Sequence, residues 1–365
     1  MVYENENLFF IILGVATLVH IAFVTVTLGV GLITAIYRYL AYAKRDPELE
    51  LFSRRAFRLL AVSELISGVW GTVITVVLAG FFPSLVALTT NILFTPIAIA
   101  VAGIMIRIPS IAAFWYTWGR INPRYHSVLG FVMAISGFLV PLGFRTIFAE
   151  ITAPNAITEF INGGYPSAFQ AYTNPLFWAL YVHTVFAAIS VGGFVVISVS
   201  AIDKDVKGAK IALPYAVGFL LLQPIVGFLY WFVLFRNASY IAERVTIGLT
   251  APIFYLKLAL VLVLIYLSLK LYESLNSNTL PETAKLLGPI ALVVAVLGEF
   301  VNDASRHPYM VVQDSGGVEI SSFFNYYLNV SQVALAIAVI LLFLVVSLAI
   351  FTVSLYYALV RKFVT

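Results

Sequence analysis

Apolar and polar positions along the chain fall into long blocks. Nine apolar runs, at 8–40, 57–88, 92–118, 127–149, 175–202, 211–235, 249–275, 286–302 and 326–360, are separated by short polar connections. Each run is long enough to cross a hydrocarbon layer of about 30 Å. None shows the period-of-two alternation of a membrane β-barrel, and a spanning segment must pair its backbone groups internally, so the runs predict helices. The first and last runs exceed what a perpendicular crossing needs and are expected to tilt or project beyond the bilayer. The pattern therefore predicts an all-α integral membrane protein, a single domain over 1–365 with about nine transmembrane helices.

Composition supports this assignment: 62% of residues are hydrophobic, 10% are charged and the mean hydropathy is +1.01. About a quarter of the residues of a soluble domain are charged. Basic residues follow topology. Lys44, Arg45, Arg54 and Arg55 lie between runs one and two, Arg120 and Arg124 between three and four, Lys204, Lys207 and Lys210 between five and six, and Arg361 and Lys362 at the end. The alternate connections carry few, with Arg236, Arg244 and Arg306 as exceptions. An excess of Lys and Arg marks the cytoplasmic side, which places the N-terminus outside and the C-terminus in the cytoplasm. The net charge of +4 thus reflects topology and does not point to nucleic acid. The first apolar run is too long, and lacks the basic start, for a cleaved signal peptide. With no cysteine, thiolate-held clusters, thioether-attached haem and disulfides are excluded.

Two of the four histidines, His20 and His183, sit inside apolar runs. An imidazole there must be neutral and satisfied, and haem iron satisfies it well; a hydrogen bond to a neighbouring helix is the alternative. Their positions are roughly 18 Å and 12 Å from the outer ends of their runs at 1.5 Å per residue. Lys257 falls at the depth of His183, as an iron ligand, a partner of a haem propionate or a residue reaching out to the interface. Arg145 is placed to meet a propionate or a quinone head group, or to reach the interface. Asp303 and Arg306 arrive on the same side. Glu64 and Arg107 are expected to form an intramembrane ion pair, with a proton-path role for Glu64 as the sharper alternative. His126 is expected at the interface and His307 in an exposed loop. Loops 150–174, 236–248 and 303–325 would cover an outer site.

Four strings carry a resemblance to subunit I of the cytochrome bd family of quinol-dependent oxygen reductases. LFFIILGVATLVHIAFVTVTLGVGL, residues 8–32, looks like the family's first helix, which implies His20 as the ligand of an active-site haem. NPLFWALYVHT, residues 174–184, is similar to the segment supplying the low-spin haem's histidine, here His183. GEFVNDASRHPYMV, residues 298–311, resembles the family's G-x-x-x-x-E-x-G-R-Q-P-W segment. Arg306 and Pro308 match, Tyr309 replaces Trp, and Asp303 stands where a Glu ligates a high-spin haem. GRINPRYH, residues 119–126, matches the loop between helices three and four, including its histidine.

The departures concern specific chemistry. Lys257 stands at or beside the family's methionine ligand to the low-spin haem, and Tyr255 replaces the basic residue before it. The helix-three glutamates align with Ala100 and about Ile108. A short outer loop, 236–248, stands in place of the long quinol-binding loop. The resemblance implies haem b and a further haem d as cofactors, with Asp303 and Arg306 at the catalytic site, and His20, His183, Lys257 and Arg145 around the cofactors. Quinol and O2 would be substrates, with lipid and a second membrane subunit, a homologous or identical chain, as partners in a prokaryotic plasma membrane. Two roles stand side by side: a terminal oxidase subunit passing electrons from quinol to O2, or a non-catalytic duplicated relative serving as an assembly or electron-transfer partner. A cofactor-free transporter would need broken helices and a midplane polar site, and the ionisable groups instead gather in the outer half.

Overall fold

The computed structural model describes residues 3–313, 316–324 and 330–359. The long helices are α1 (Tyr3–Lys44), α2 (Pro47–Phe81), α4 (Phe94–Tyr116), α5 (Pro123–Thr152), α7 (Pro175–Ile202), α8 (Val206–Asn237), α10 (Ala251–Asn276), α11 (Leu287–Ala304) and α12 (Val330–Leu359). Short helices α3 (Pro83–Ile92), α6 (Ala156–Ile161) and α9 (Ser239–Thr246) lie between them. Among the described residues eight helices are long and apolar enough to cross a membrane. The ninth expected run corresponds to α12, whose side chains are described only in part.

The helix starts follow local chemistry. Asp46 caps α2 by accepting from the Glu48 and Leu49 amides, and Pro47 occupies the first turn, where a missing N–H costs nothing. Asn122 before Pro123 and Asn174 before Pro175 repeat the arrangement. For this reason α2 begins ten residues before the expected 57: its charged first turns are helical although they are not apolar.

Two ends are distinguishable. At the basic end, Arg55 pairs with Asp205 at 2.8 Å, Lys207 contacts Glu48, and Trp118 Nε1–H donates to Glu50 at 2.9 Å, which gathers the loops before α2, α5 and α8. At the opposite, N-terminal end, Phe9 stacks on Phe81 and the buried Glu150 carboxylate accepts from the Asn155 and Ile157 amides and from Asn174 Nδ2. The expected lid loops have structure of their own: α6, α9, and an antiparallel hairpin of β1 (Tyr309–Gln313) and β2 (Gly316–Glu319).

Helix α7 is the most enclosed, and it crosses α1 at a glycine contact. A Cβ on Gly29 would lie 2.1 Å from the Ala188 carbonyl oxygen, and one on Gly192 would lie 2.7 Å from the Gly29 backbone. Backbone therefore meets backbone, the close approach that small residues permit between membrane helices.

Candidate functional site

His20, on α1, places Nδ1 2.7 Å from the Ser67 carbonyl of α2. A carbonyl only accepts, so the Nδ1 proton is donated to it and the lone pair resides on Nε2. A carbonyl placed in this way fixes the tautomer of a metal-binding imidazole. One turn further along α2, Gly71 keeps the ring's flank clear: a Cβ there would lie 3.0 Å from His20 Cε1.

His183, on α7, has no hydrogen-bond partner for its buried Nδ1. Its ring lies 6.1 Å from that of Tyr230 at 25°, and Gly227 of α8 leaves space beside it, a Cβ there approaching Cε1 to 3.4 Å. Lys257, on α10, points its amine at the backbone of α11, where a Cβ on Gly298 would lie 3.2 Å from Nζ.

A charged cluster joins these elements at the N-terminal end. Arg145 of α5 and Glu299 of α11 form a buried bidentate pair, Nη1–Oε1 3.0 Å and Nη2–Oε2 3.1 Å. The Phe148 ring carries Arg145 Cζ at 5.0 Å and Arg306 Cζ at 5.4 Å. Arg306 is 4% exposed and donates from Nε to the Asn302 carbonyl at 3.3 Å, while Nη1 and Nη2 are buried without acceptors among the described residues. Burial pushes the Arg306 guanidinium below its ordinary value, with the Asp303 carboxylate the largest opposing influence. Tyr230 O–H donates to Asn302 Oδ1 at 3.1 Å, while Asn302 Nδ2 is buried and unpartnered. The charges of Arg145 and Glu299 also act on His20, and those of Arg145 and Lys257 on His183, so both imidazoles belong to one electrostatic neighbourhood.

The structure thus gathers Arg145, Glu299 and Arg306 around Phe148, with Asp303, His20, His183 and Lys257 within reach of their charges. It corrects the expected partner of Arg145, which is held by Glu299. Glu299 was missed although its signal was legible: a carboxylate inside an apolar run of α11 must find a cation. Glu64 and Arg107 do pair, at 2.8 and 2.9 Å, and Arg107 also donates to the Met133 and Thr27 carbonyls. His126 is not interfacial. It is fully buried, accepting from Arg38 Nε at 2.7 Å on Nδ1 and donating from Nε2 to the Phe114 carbonyl at 2.9 Å. Two arginines, one lysine and two carboxylates leave the cluster one positive charge in excess when all are ionised. An iron chelate with acidic side arms matches both that excess and the free imidazole nitrogens.

A family model described as cytochrome bd terminal oxidase subunit I matches residues 11–230. The chain belongs to that family. Among solved structures it is similar to the bd oxidase of Geobacillus thermodenitrificans, at 17% identity over 99% of each chain with a TM-score of 0.82. The comparison with curated proteins gives no match. The family is one of membrane-embedded, multi-span terminal oxidase subunits and implies haem in general terms.

The buried nitrogens of His183 Nδ1 and of Arg306 Nη1 and Nη2, without partners among the described residues, fit a haem with its acidic side arms. The subunit's departures from its family are equally concrete. Ala100 is fully buried, with its Cβ 2.6 Å from where a Cβ on Gly143 would stand, so a glutamate there would meet α5. Ile108 is 58% exposed on the outer surface of α4. Tyr255, in place of a basic residue, donates its O–H to the Thr246 carbonyl at 2.8 Å and ties α10 to α9.

Proposed function

We propose that this chain is a haem-bearing subunit of a bd-type terminal oxidase that passes electrons from a quinol to O2. The observation that carries the proposal is the pairing of two intramembrane imidazoles, His20 with a defined tautomer and His183 with an unsatisfied Nδ1, beside a guanidinium that has no protein acceptor. His20 holds the iron of an active-site haem, a haem d or a haem b. His183 holds a low-spin haem b, and Lys257 supplies its sixth ligand or binds a propionate. Asp303 ligates the second high-spin haem, and Arg306 takes the propionate oxygens that its Nη groups lack. Arg145, held by Glu299, supplies fixed positive charge beside the cofactors. Haem supplies the one-electron chemistry. The chain's residues fix ligand orientation, exclude water and set the local charge.

In this reading the basic end faces the cytoplasm of a prokaryotic cell and the haems lie near the outer face of its plasma membrane. The whole chain acts as one transmembrane unit with a second membrane subunit, and the short 236–248 segment stands where relatives carry a longer quinol loop. Ala100 and Ile108 favour a second reading, a non-catalytic duplicated subunit that serves assembly or electron transfer, because α4 offers no carboxylate for proton supply.

A reduced-minus-oxidised spectrum of the purified complex, with haem counted per copy, separates the readings. Two or three haems per copy, one responding to carbon monoxide, support the catalytic role. One unresponsive haem supports the second reading. A preparation without haem overturns the catalytic reading and leaves the assembly role. Within the catalytic reading, Lys257→Ala converts a six-coordinate low-spin centre to a five-coordinate high-spin one if the amine ligates; an unchanged spin state assigns Lys257 to a propionate.

A further inference from the structure

Arg54 and Arg58 stand one turn apart on α2 near the basic end. Arg58 is 8% exposed, its Nε is buried without an acceptor, and among the described residues it makes no hydrogen bond or ion pair. Arg54 Nε is likewise buried and unpartnered, the guanidinium lying 5.0 Å from the Trp118 ring. Their neighbours on the same helix end are served: Arg55 reaches Asp205 and Ser53 Oγ–H donates to the Thr34 carbonyl. Asp203 acts on this guanidinium only at a distance and against the like charges of Arg54 and Arg55, and a cation nine-tenths buried on those terms is costly, so an anion from outside the chain is called for.

The helix face identifies its source. Leu51, Arg58, Leu65, Thr72 and Val76 share one stripe of α2 at seven- and four-residue spacing. Leu51, Leu65 and Val76 are 47%, 69% and 63% exposed, so Arg58 belongs to an outward-looking apolar face. Helical side chains lean toward the N-terminus of their helix, which here is the basic end. Arg58 therefore runs along the apolar stripe toward headgroup level, where Arg54 lies. Tyr116 and Tyr125, 70% and 67% exposed, flank the same end at the level where aromatic residues meet lipid headgroups.

We propose that Arg54 and Arg58 form a binding site for the phosphate of an anionic phospholipid, whose acyl chains lie along Leu65, Val69 and Val76. Arg58 provides the buried charge and Arg54 the second donor, while Arg55 is occupied by Asp205. Basic pockets between membrane helices on the positively charged side bind such headgroups. The site is separate from the histidine sites and does not depend on the functional reading above.

The test uses the purified complex in nanodiscs of phosphatidylcholine with increasing phosphatidylglycerol, with bound lipid counted by native mass spectrometry. The wild type is expected to retain phosphatidylglycerol selectively, and Arg54→Gln/Arg58→Gln to bind it at least tenfold more weakly. Lys270→Gln/Lys285→Gln removes the same charge elsewhere on the basic half and is expected to change nothing. Equal retention by wild type and the Arg54/Arg58 variant overturns the proposal. So does displacement of the lipid by inorganic phosphate at matched ionic strength, which would make the site one for a free anion. Loss of a second subunit from the variant with lipid retention unchanged assigns Arg58 to a protein partner and also overturns it. If the double variant does not assemble, the wild type decides: selective retention over phosphatidylcholine supports the site, and indifference between the two lipids refutes it.

Discussion

The two ends of the bundle treat buried polar groups differently. At the basic end Arg38 donates to His126, lies 3.6 Å from Glu50, and is closed off by Trp118, while Arg107 deeper in the bundle has four oxygen acceptors. Toward the other end, His183 Nδ1, Asn302 Nδ2, Arg306 Nη1 and Nη2 and Trp231 Nε1 are buried with no acceptor. Packed proteins rarely leave such groups unpaired, so a concentration of them marks where something else belongs. At the basic end most buried polar groups are met by the chain's own atoms; toward the other end more of them have no partner among the described residues. Near the basic end Arg54 Nε and Arg58 Nε are the buried guanidinium nitrogens that break this rule among the described residues, and the proposed lipid site rests on them.

That contrast yields graded expectations. His183→Ala should abolish the low-spin b-type signal entirely while the protein remains in the membrane. An unchanged spectrum would remove His183 from the ligand set, and the difference between the ends would lose its functional meaning. Arg145→Leu should follow in size, because it leaves Glu299 buried without its cation; breaking such a pair costs about 3–5 kcal/mol. Thermal unfolding in detergent should show it as a marked loss of midpoint, largely restored by adding Glu299→Gln. His126→Leu should cost about 1–3 kcal/mol, since the Arg38 Nε–H and the Phe114 carbonyl both lose their partner. Its optical spectrum should be that of the wild type; a spectral change would place cofactor chemistry at the basic end. Arg120→Gln should be smallest, within about 0.5 kcal/mol, because this exposed guanidinium only overlies the Tyr116 ring at 4.1 Å.

Much of the architecture was legible because a bilayer leaves one solution to a long apolar run. The run edges were less so: Pro47 and Asp46 start α2 amid charged residues, where hydropathy is silent and capping chemistry speaks. Helix α3 was hidden where run two ends and run three begins, since Pro83 breaks the helix without breaking hydrophobicity. At the site, intramembrane His20, His183 and Lys257 stood out by their cost, and the Glu64–Arg107 pair followed from matching depths. Partners did not. Whether Arg145 meets a bound anion or Glu299 depends on the facing of α5 and α11, which sequence position alone does not give. His126 looked interfacial because its loop is short and polar; its burial comes from Arg38, Phe114 and Trp118 closing over it from three other segments.

The glycine crossing of α1 and α7 has a consequence for the spacing of the two intramembrane histidines. His20 precedes Gly29 by nine residues, and His183 precedes Gly192 by nine. The two imidazoles therefore hang from one backbone joint on arms of equal length, about 13.5 Å each at the helical rise. Because no side chain cushions the joint, it fixes the spacing of the two imidazoles. A methyl group added at Gly29 or Gly192 would touch neither ring, yet it would push the two helices apart and change the distance between the imidazoles.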